Sequence, residues 1–317
     1  VFQKDIVFSD LRLAVIDEQH RFGVRQRWQL GQKGSAVDTL VMTATPIPRS
    51  LALAQYGDMD VSILDEKPPG RKPVATAVVP ESRIEDVVAH LRRALDAGRQ
   101  AYWVCPLVEE SENSDLAAAQ ARFDQLQSAF GASRVGLVHG RLSGEAKDAA
   151  MARFIAGETG ILVATTVIEV GVNVPNASIM VIERADSFGL AQLHQLRGRV
   201  GRGETASTCL LMYRAPLSQT GERRLKTLRE TEDGFEIAQV DLEMRGAGDM
   251  IGTAQSGLPR FRIADLERQS DLMAVAQSDA RTLLELDSDL SSERGQAARM
   301  LLWLMRQDEA IRLINVG

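Results

Sequence analysis

Short apolar runs alternate with amphipathic helical patterns through most of the chain. This alternation is typical of βαβ units, in which helices cover both faces of a parallel sheet. The apolar runs predict strands at Leu11–Ile16, Thr39–Thr43, Ala75–Val79, Ala101–Cys105, Arg134–Val138, Gly160–Ala164, Ser178–Ile182 and Ser207–Tyr213. The helical patterns between them are Ile84–Ala97, Leu116–Phe130, Glu145–Ile155 and Leu190–Val200. The predicted fold class is α/β, and ligands are expected where the strands end.

The strand pattern stops after Tyr213, and the rest of the chain is predicted to be mainly helical. Two helical patterns joined by a short Glu-Asp-Gly turn predict a helical hairpin, at Gln219–Arg229 and Phe235–Met244. A glycine-rich stretch, Gly246–Gly257, predicts a loop. Tail helices are predicted at Ile263–Ser278 and Gln296–Ile314.

The best linker candidate is Asp65–Pro73, which contains three prolines and a glycine. It divides the chain into a partial first α/β domain (residues 1–66), a linker (67–73), a complete second α/β domain (74–214), and a helical hairpin, loop and tail (215–317). The first residue is valine and the apolar pattern begins at once, so we expect the chain to be part of a longer protein.

Composition and charge exclude several classes of protein. Hydrophobic residues make up 44% of the chain, which rules out wholesale disorder, and no apolar run is long enough for a membrane span. The net charge of −6 argues against a uniformly basic nucleic-acid binder. Cys105 and Cys209 both lie among apolar residues, which predicts buried thiols in a reducing compartment rather than a disulfide or a metal framework.

The charge is unevenly distributed along the chain. Nine basic and three acidic residues lie between Arg184 and Arg229, so this segment carries +6 and the rest of the chain carries −12. A local basic stripe on an acidic protein predicts a phosphate-binding face with salt-sensitive binding.

Polar clusters follow the first two predicted strands. Asp17 and Glu18 form an adjacent carboxylate pair that suits a magnesium–phosphate site, although such a pair taken alone is more often a solvated acidic turn. Thr43 and Thr45 flank a small residue before Pro46. Their hydroxyls can relay hydrogen bonds between a nucleotide and a second ligand, or simply mark a strand-to-turn exit.

The strongest cluster is Gln192–Arg202, which places three arginines and two glycines in its last six residues. The cluster lies at the end of a predicted helix, and Arg199 and Arg202 have i, i+3 spacing, so both can point the same way. Guanidinium groups placed in this way can hold a γ-phosphate and stabilise charge in the transition state. The alternative is a basic helix end that interacts with its own dipole and last carbonyls. That alternative does not account for the glycines, which allow a close approach of the backbone.

Two further strand ends carry polar residues. Thr165, Glu169 and Gly171 follow the strand Gly160–Ala164 and suit contacts to a nucleotide or a nucleic-acid backbone. His139 follows the strand Arg134–Val138. A single histidine at such a position is more often structural.

The order of the clusters DEQH, TATP, VHGR, ATTVIEVGVNVP and QLHQLRGRVGR resembles motifs II to VI of superfamily 2 helicases and translocases. The longer strings IDEQHRFGVRQR, YWVCPLVEES and IERADSFGLAQLHQLRGRVGRG resemble the carboxyl-terminal part of the RecG family of DNA helicases, which would give RecA-like motor domains. LRETEDGFEIAQVDLEMRGAGDMIGTAQSG is similar to the hairpin and loop that RecG shares with the transcription–repair coupling factor, where this element couples the motor to translocation. The alternatives are a translocase of that second type and a non-catalytic DNA- or protein-binding module.

The resemblance implies roles for residues that match the motifs. Nucleotide chemistry would fall to Asp17 and Glu18 (magnesium and the attacking water), His20, Gln195, Arg199, Arg202, Glu169 and Gly171. Coupling to DNA would fall to Thr43, Thr45, His139, Thr165, Arg245 and Gln255. Asn173 stands where many superfamily members carry aspartate, so no role is assigned to it.

The resemblance implies ATP and Mg²⁺ as cofactors and branched DNA, such as replication forks and Holliday junctions, as the substrate. It also implies a monomer in the bacterial cytoplasm near the nucleoid, away from membranes, with single-strand-binding protein as a candidate partner. No Gly-Lys pair occurs in the 317 residues, so a P-loop is missing. We therefore expect the isolated chain to be inactive as an ATPase.

Overall fold

The computed structural model describes residues 6–17, 30, 33–34, 37–43, 61–64, 66, 70–106, 112–165, 174–201, 205–252 and 269–305. The chain forms two compact units. One comprises Val1–Ile63 together with Arg245–Gly317, and the other comprises Leu64–Met244. The domain boundaries that we expect from the sequence, at residues 66, 73 and 214, stay predictions.

The first unit contains a pair of parallel strands, β1 (Leu13–Ile16) and β2 (Asp38–Val41). Alternate residues of β1 point to opposite faces, so Ala14 and Ile16 are buried while Leu13 and Val15 are more than half exposed. Ala14 and Ile16 pack with Leu30 in a small apolar cluster.

The second unit is built on a parallel sheet of six strands in the order β3-β8-β7-β4-β6-β5. These strands are β3 (Val74–Pro80), β4 (Gln100–Val104), β5 (Val135–Val138), β6 (Ile161–Ala164), β7 (Ala177–Ile182) and β8 (Ser207–Tyr213). The strands β4, β6 and β7 are fully buried, because helices cover the sheet on both sides.

Eight helices lie within the described residues: α1 (Ile84–Asp96), α2 (Glu112–Phe130), α3 (Gly144–Ile155), α4 (Leu190–Arg197), α5 (Gln219–Glu230), α6 (Gly234–Gly252), α7 (Ser270–Leu286) and α8 (Glu293–Leu304). Serine side chains cap three of them: the Oγ atoms of Ser143, Ser218 and Ser292 accept hydrogen bonds from backbone amides at the start of α3, α5 and α8. Within the described residues, no helix is both long and apolar enough to cross a membrane.

The core of the second unit has one layer on each face of the sheet. On one face, Tyr102 and Val104 of β4 belong to the cluster that contains Phe154 of α3, Leu193 of α4 and Leu225 of α5. The other cluster contains Ala101, Trp103 and Cys105, with Leu91 of α1 and Leu126 of α2. Both cysteines are free and buried, so the prediction of buried thiols is confirmed.

All of the predicted strands are present, and the predicted α/β fold is confirmed. Several helix ends differ from the sequence predictions, and the helix predicted to begin at Leu116 begins at Glu112. The predicted helix Leu190–Val200 is too long, because α4 ends at Arg197 before a pair of glycines. The predicted loop Gly246–Gly257 is wrong in its first part, because α6 continues through Gly252. A glycine inside a helix costs only about 1 kcal/mol relative to alanine, so α6 tolerates its glycines. Residues 253–257 lie outside the described residues.

The tail helices are shifted relative to their predictions. The helix predicted at Ile263–Ser278 is found at Ser270–Leu286, and residues 263–268 are not described. The helix predicted at Gln296–Ile314 begins earlier, at Glu293, because Ser292 caps it, and it ends at Leu304. Residues 306–314 lie outside the described part of the chain.

Candidate nucleotide and DNA-coupling site

Two of the predicted site residues meet at the carboxyl edge of the six-stranded sheet. Val138 of β5 and Ala164 of β6 are register partners, so the residues that follow them, His139 and Thr165, lie on adjacent strand ends. The Thr165 amide donates to the Val138 carbonyl oxygen at 3.3 Å, and only 2% of Thr165 is exposed. The structure thus brings His139 and Thr165 together as neighbours.

His139 lies in a turn with a positive charge. Burial, followed by the charges of Lys147 and Arg141, lowers the pKa of His139. Its Nδ1 atom is buried and has no hydrogen-bond partner within the described part of the chain. Lys147 Nζ donates to the Gly140 carbonyl oxygen at 2.8 Å, which holds this cation beside the turn. A neutral histidine beside two cations suits an anionic ligand such as a phosphate.

The predicted finger residues lie on and after α4: Gln195 is within the helix, and Arg199 follows it in a turn. This turn packs against Val74, the first residue of β3, at the opposite edge of the sheet from His139 and Thr165. The helix buries Leu190, Leu193 and Leu196 against the sheet, which leaves Gln195 half-buried. Arg199 follows the end of α4 and is also half-buried. The sheet therefore fixes α4 through its leucine side and leaves Gln195 and Arg199 at the periphery.

Arg197 has a different position from the predicted fingers, since only 4% of it is exposed. Its Nη1 atom donates to the carbonyl oxygens of Leu228 at 2.6 Å and Thr231 at 2.9 Å. Its Nη2 atom lies 3.0 Å from His194 Nδ1. Burial lowers the pKa of Arg197, and the nearby Cys209 and Glu232 oppose this shift. Arg197 is therefore a buried anchor between α4 and the carboxyl end of α5.

The segment after Arg197 is a tight turn. The amides of Arg199 and Val200 donate to the carbonyl oxygens of Leu196 at 3.0 Å and Arg197 at 3.2 Å. Gly201 then has φ +76°, a left-handed conformation that favours glycine. A Cβ atom on Gly201 would lie 2.6 Å from Val74 Cγ2, so the space also requires glycine. We call residues 198–201 the finger loop.

The predicted helix extends too far in including Arg199, because α4 ends at Arg197 and Gly201 has a left-handed backbone conformation. The roles expected for Arg199 and Arg202 stay predictions. Arg202 itself lies outside the described residues.

The finger loop contacts the segment that leads into β3. Arg71 Nε donates to the carbonyl oxygen of Gly201 at 3.0 Å. The amide of Val74, the first residue of β3, donates to Glu232 Oε1 in the turn between α5 and α6. Three segments that are distant in sequence therefore meet at this point: residues 71–74, the finger loop and the turn 231–233.

A second charged cluster, which sequence reasoning missed, lies behind the carboxyl ends of β4 and β7. Glu183 Oε1 accepts hydrogen bonds from Trp103 Nε1 and from Arg122 Nε, and Arg122 Nη2 donates to Glu183 Oε2 at 3.2 Å. The Arg122 guanidinium lies 5.6 Å from the centre of the Trp103 ring. Trp103 and Glu183 stand inside the strings YWVCPLVEES and IERADSFG, but no motif indicates Arg122.

The first unit holds the remaining described candidates. The Met42 amide donates to the Ile16 carbonyl oxygen at 2.8 Å, which brings the ends of β1 and β2 side by side. Asp17 directly follows the end of β1, and Thr43 follows the end of β2 after Met42. The described residues contain no group of three or more metal-ligating side chains, but Glu18, the second member of the predicted carboxylate pair, is not among them.

Several other candidates lie outside the described residues: His20, Thr45, Glu169, Gly171, Asn173 and Gln255. Arg245 lies within α6.

A parallel sheet between helices, with an arginine-rich turn at its edge, defines this unit as a RecA-like carboxyl-terminal domain of a helicase. Residues 83–204 match the family model of the helicase conserved C-terminal domain, and residues 231–315 match that of ATP-dependent DNA helicase RecG, domain 3, C-terminal. The chain belongs to the RecG family and corresponds to its carboxyl-terminal region.

Relatives support this assignment. The chain is 52% identical over 289 residues to an ATP-dependent DNA helicase RecG from Acidithiobacillus ferridurans, covering 91% of this chain and 42% of that protein. It is also 52% identical over 290 residues to RecG of Escherichia coli (strain K12), covering 90% of this chain and 42% of the relative. The chain thus spans less than half of the length of these relatives.

A solved structure described as RecG bound to a three-way DNA junction is also similar. It matches with a TM-score of 0.66 and 46% sequence identity, over 86% of this chain and 35% of that chain. The RecG assignment favours this family over the transcription–repair coupling factor, the nearer of the two alternatives.

Proposed function

We propose that this chain forms the second motor domain and the coupling hairpin of an ATP-dependent helicase that remodels branched DNA. The observation that carries the proposal is the position of Arg197. This residue belongs to the arginine-rich motif and is bonded to the end of the first hairpin helix through Leu228 and Thr231. A change at the finger loop can therefore reach the hairpin through a single buried side chain.

Nucleotide chemistry is assigned to the residues around the finger loop. Bound ATP–Mg²⁺ would supply the reactive γ-phosphate and a divalent charge. Arg199 would stabilise the charge that develops on the γ-phosphoryl oxygens, a role worth about 10³–10⁵ in rate when an arginine finger is complete. Gln195, one turn earlier on α4, would orient the nucleotide or the attacking water. Arg197 keeps both residues in place but touches neither reactant.

The roles of holding Mg²⁺ and activating the attacking water are assigned to carboxylates of the first unit. Asp17 and Glu18 would hold Mg²⁺ and activate water, because carboxylate oxygens are the ligands that Mg²⁺ prefers. His20, Thr43 and Thr45 would relay the state of the nucleotide to DNA. Glu169, Gly171 and Arg202 would complete the contacts to the nucleotide.

DNA binding is assigned to phosphate contacts rather than to base recognition. His139 and Thr165 are neighbours at adjacent strand ends, and Lys147 and Arg141 add positive charge there. The helix α5 exposes Lys226 within the basic segment. Such contacts predict binding that weakens steeply as salt increases.

The helical hairpin would convert motor movement into movement along the duplex. Its two helices are joined by an ion pair between Arg223 Nη2 and Glu243 Oε2 at 2.7 Å. Arg245 and Gln255 would contact the DNA. We also propose that the protein acts as a monomer in the cytoplasm near the nucleoid, with single-strand-binding protein as a candidate recruiter.

Phosphate release by the whole protein tests the proposal, measured with a three-way junction and with a linear duplex of equal length. We expect the junction to stimulate turnover more strongly than the duplex. The isolated 317-residue chain serves as a control, and we expect it to release no phosphate because it has no P-loop motif. A whole protein without DNA-dependent turnover, or an isolated chain that turns over like the whole protein, would contradict the proposal.

A further inference from the structure

Arg71 makes a contact that the proposed motor does not yet explain. Its Nε atom donates to the Gly201 carbonyl oxygen at 3.0 Å, across 130 positions of sequence. Arg71 belongs to the predicted linker between the two motor domains, whereas Gly201 closes the finger loop. The linker is therefore hydrogen-bonded to the loop that carries Arg199.

The backbone of the finger loop also packs directly against the same segment. The nearest atom to a Cβ built on Gly201 is Val74 Cγ2, and the Lys72 carbonyl oxygen lies 3.9 Å from that Cβ position. Val74 in turn donates its amide to Glu232. Residues 71–74 thus contact both the finger loop and the turn between the two hairpin helices.

A carbonyl oxygen fixed by a guanidinium restricts the rotation of its peptide group. The Gly201 carbonyl is two residues from Arg199, and the turn between them is short and hydrogen-bonded. A glycine in the left-handed region has no side chain of its own to fix its backbone. The hydrogen bond from Arg71 therefore restricts a peptide group that glycine would otherwise leave free to rotate.

We propose that Arg71 is a positioning residue for the finger loop, through which the linker sets the placement of Arg199. The inference rests on the proposed function, because a finger needs placement only if it acts on a nucleotide. A movement of the linker would then displace the Gly201 carbonyl oxygen and, through the finger loop, change the position of Arg199. Arg71 itself touches no reactant in this account.

The first test uses the 317-residue chain and needs no ATPase activity. Hydrogen–deuterium exchange is measured at the amides of Arg199 and Val200 in the wild type, in Arg71→Ala and in Lys72→Ala. Lys72→Ala is the matched control, because it removes the same charge from the adjacent exposed position. We expect exchange at the two amides to rise about fivefold in Arg71→Ala and to be unchanged in Lys72→Ala. Equal exchange in all three proteins would overturn the proposal.

The second test uses the whole protein with three-way-junction DNA. We expect Arg71→Ala to lower kcat for ATP about fivefold, with unchanged KM, junction affinity and Tm. Arg71→Lys should restore part of kcat, and Lys72→Ala should match the wild type. A normal kcat in Arg71→Ala, or a parallel loss of Tm and junction binding, would overturn the positioning role. If the wild type itself lacked junction-dependent hydrolysis, the proposed function would fail, a result distinct from an active wild type that tolerates Arg71→Ala.

Discussion

The Nη1 atom of Arg197 lies 2.9 Å from the carbonyl oxygen of Thr231, a residue 34 positions later in the chain. The same atom also donates to the Leu228 carbonyl oxygen at the end of α5. A helix end leaves its last carbonyls without partners inside the helix, and Arg197 supplies partners from another element. The hydrogen bonds from Arg197 therefore connect the arginine-rich motif directly to the helical hairpin.

Replacing Arg197 by methionine should destabilise the second unit, because two carbonyl oxygens lose their donor inside the protein. We expect a loss of about 2–4 kcal/mol in the free energy of unfolding. Calorimetric unfolding measures this loss, with Arg214→Met as the control, because Arg214 is exposed. A Tm for Arg197→Met equal to that of the control would show that the hydrogen bonds of Arg197 do not stabilise the fold.

Replacing Gly201 by alanine should cost more than the same change at Gly157. Both glycines have φ +76°, so both substitutions carry the backbone strain of the left-handed region, about 1–2 kcal/mol. A Cβ atom at Gly157 has no atom within 4 Å, whereas one at Gly201 meets Val74 Cγ2 at 2.6 Å. Urea unfolding of the two variants isolates the steric part, and equal midpoints would contradict the crowding at Gly201.

Replacing Glu183 by glutamine should weaken the cluster with Trp103 and Arg122, because the guanidinium loses a charged acceptor in a largely buried place. Only 13% of the Glu183 side chain and 23% of the Arg122 side chain are exposed. We expect a loss of about 1.5–3 kcal/mol that changes little with salt, since buried pairs are poorly screened.

The control for that variant is Asp86→Asn, which removes an exposed ion pair with Arg83. Exposed pairs contribute about 0.2–1 kcal/mol, and salt screens them. Chemical unfolding at low and high salt measures both variants. A Glu183→Gln loss no larger than that of Asp86→Asn, or one that vanishes in salt, would refute the role of the cluster.

The start of α8 should depend on pH through Asp287. Hydrogen bonds from the Ser292 side chain, and then from the Ser291 and Ser292 amides, lower the pKa of Asp287. A carboxyl group whose pKa is lowered by folding stabilises the folded form above its unfolded pKa, and this stabilisation is lost as pH falls through the folded pKa. The protection of the Ser291 and Ser292 amides against exchange, expressed relative to their intrinsic rates at each pH, should therefore fall on acidification.

The variant Asp287→Asn should show faster exchange at these two amides with little acid dependence, while Asp279→Asn in α7 should behave like the wild type. Exchange that accelerates equally in all three proteins after correction for intrinsic rates would mean that Asp287 does not hold the turn.

The sequence was sufficient for the elements whose signal is local. Apolar runs such as the one that forms β6 are long enough to identify buried strands, and they showed that His139 and Thr165 each follow a strand end. That the two residues are neighbours follows from the pairing of β5 with β6, which the sequence does not show. The end of α4 and the extension of α6 were harder to predict from the sequence, because α4 ends next to a glycine whereas α6 continues through several glycines. That difference depends on packing rather than on local propensity.

The contacts between distant segments could not be predicted from the residues. Arg197 looked like one basic residue among several, and only the fold shows that its partners are Leu228 and Thr231. Arg122 lies in an ordinary helical pattern, with no sign that it pairs with Glu183. Side-chain partners that are far apart in sequence depend on the tertiary arrangement, which periodicity does not encode.

The central claim is that this chain carries the arginine finger of an ATP-driven DNA motor, and the variant Arg199→Ala in the whole protein tests it most directly. Phosphate release and fork affinity are measured on the same preparations at fixed salt. We expect hydrolysis to fall by about 10³ or more, with fork affinity within about twofold of the wild type. Fork affinity that fell as far as hydrolysis would identify Arg199 as a DNA contact and contradict the account.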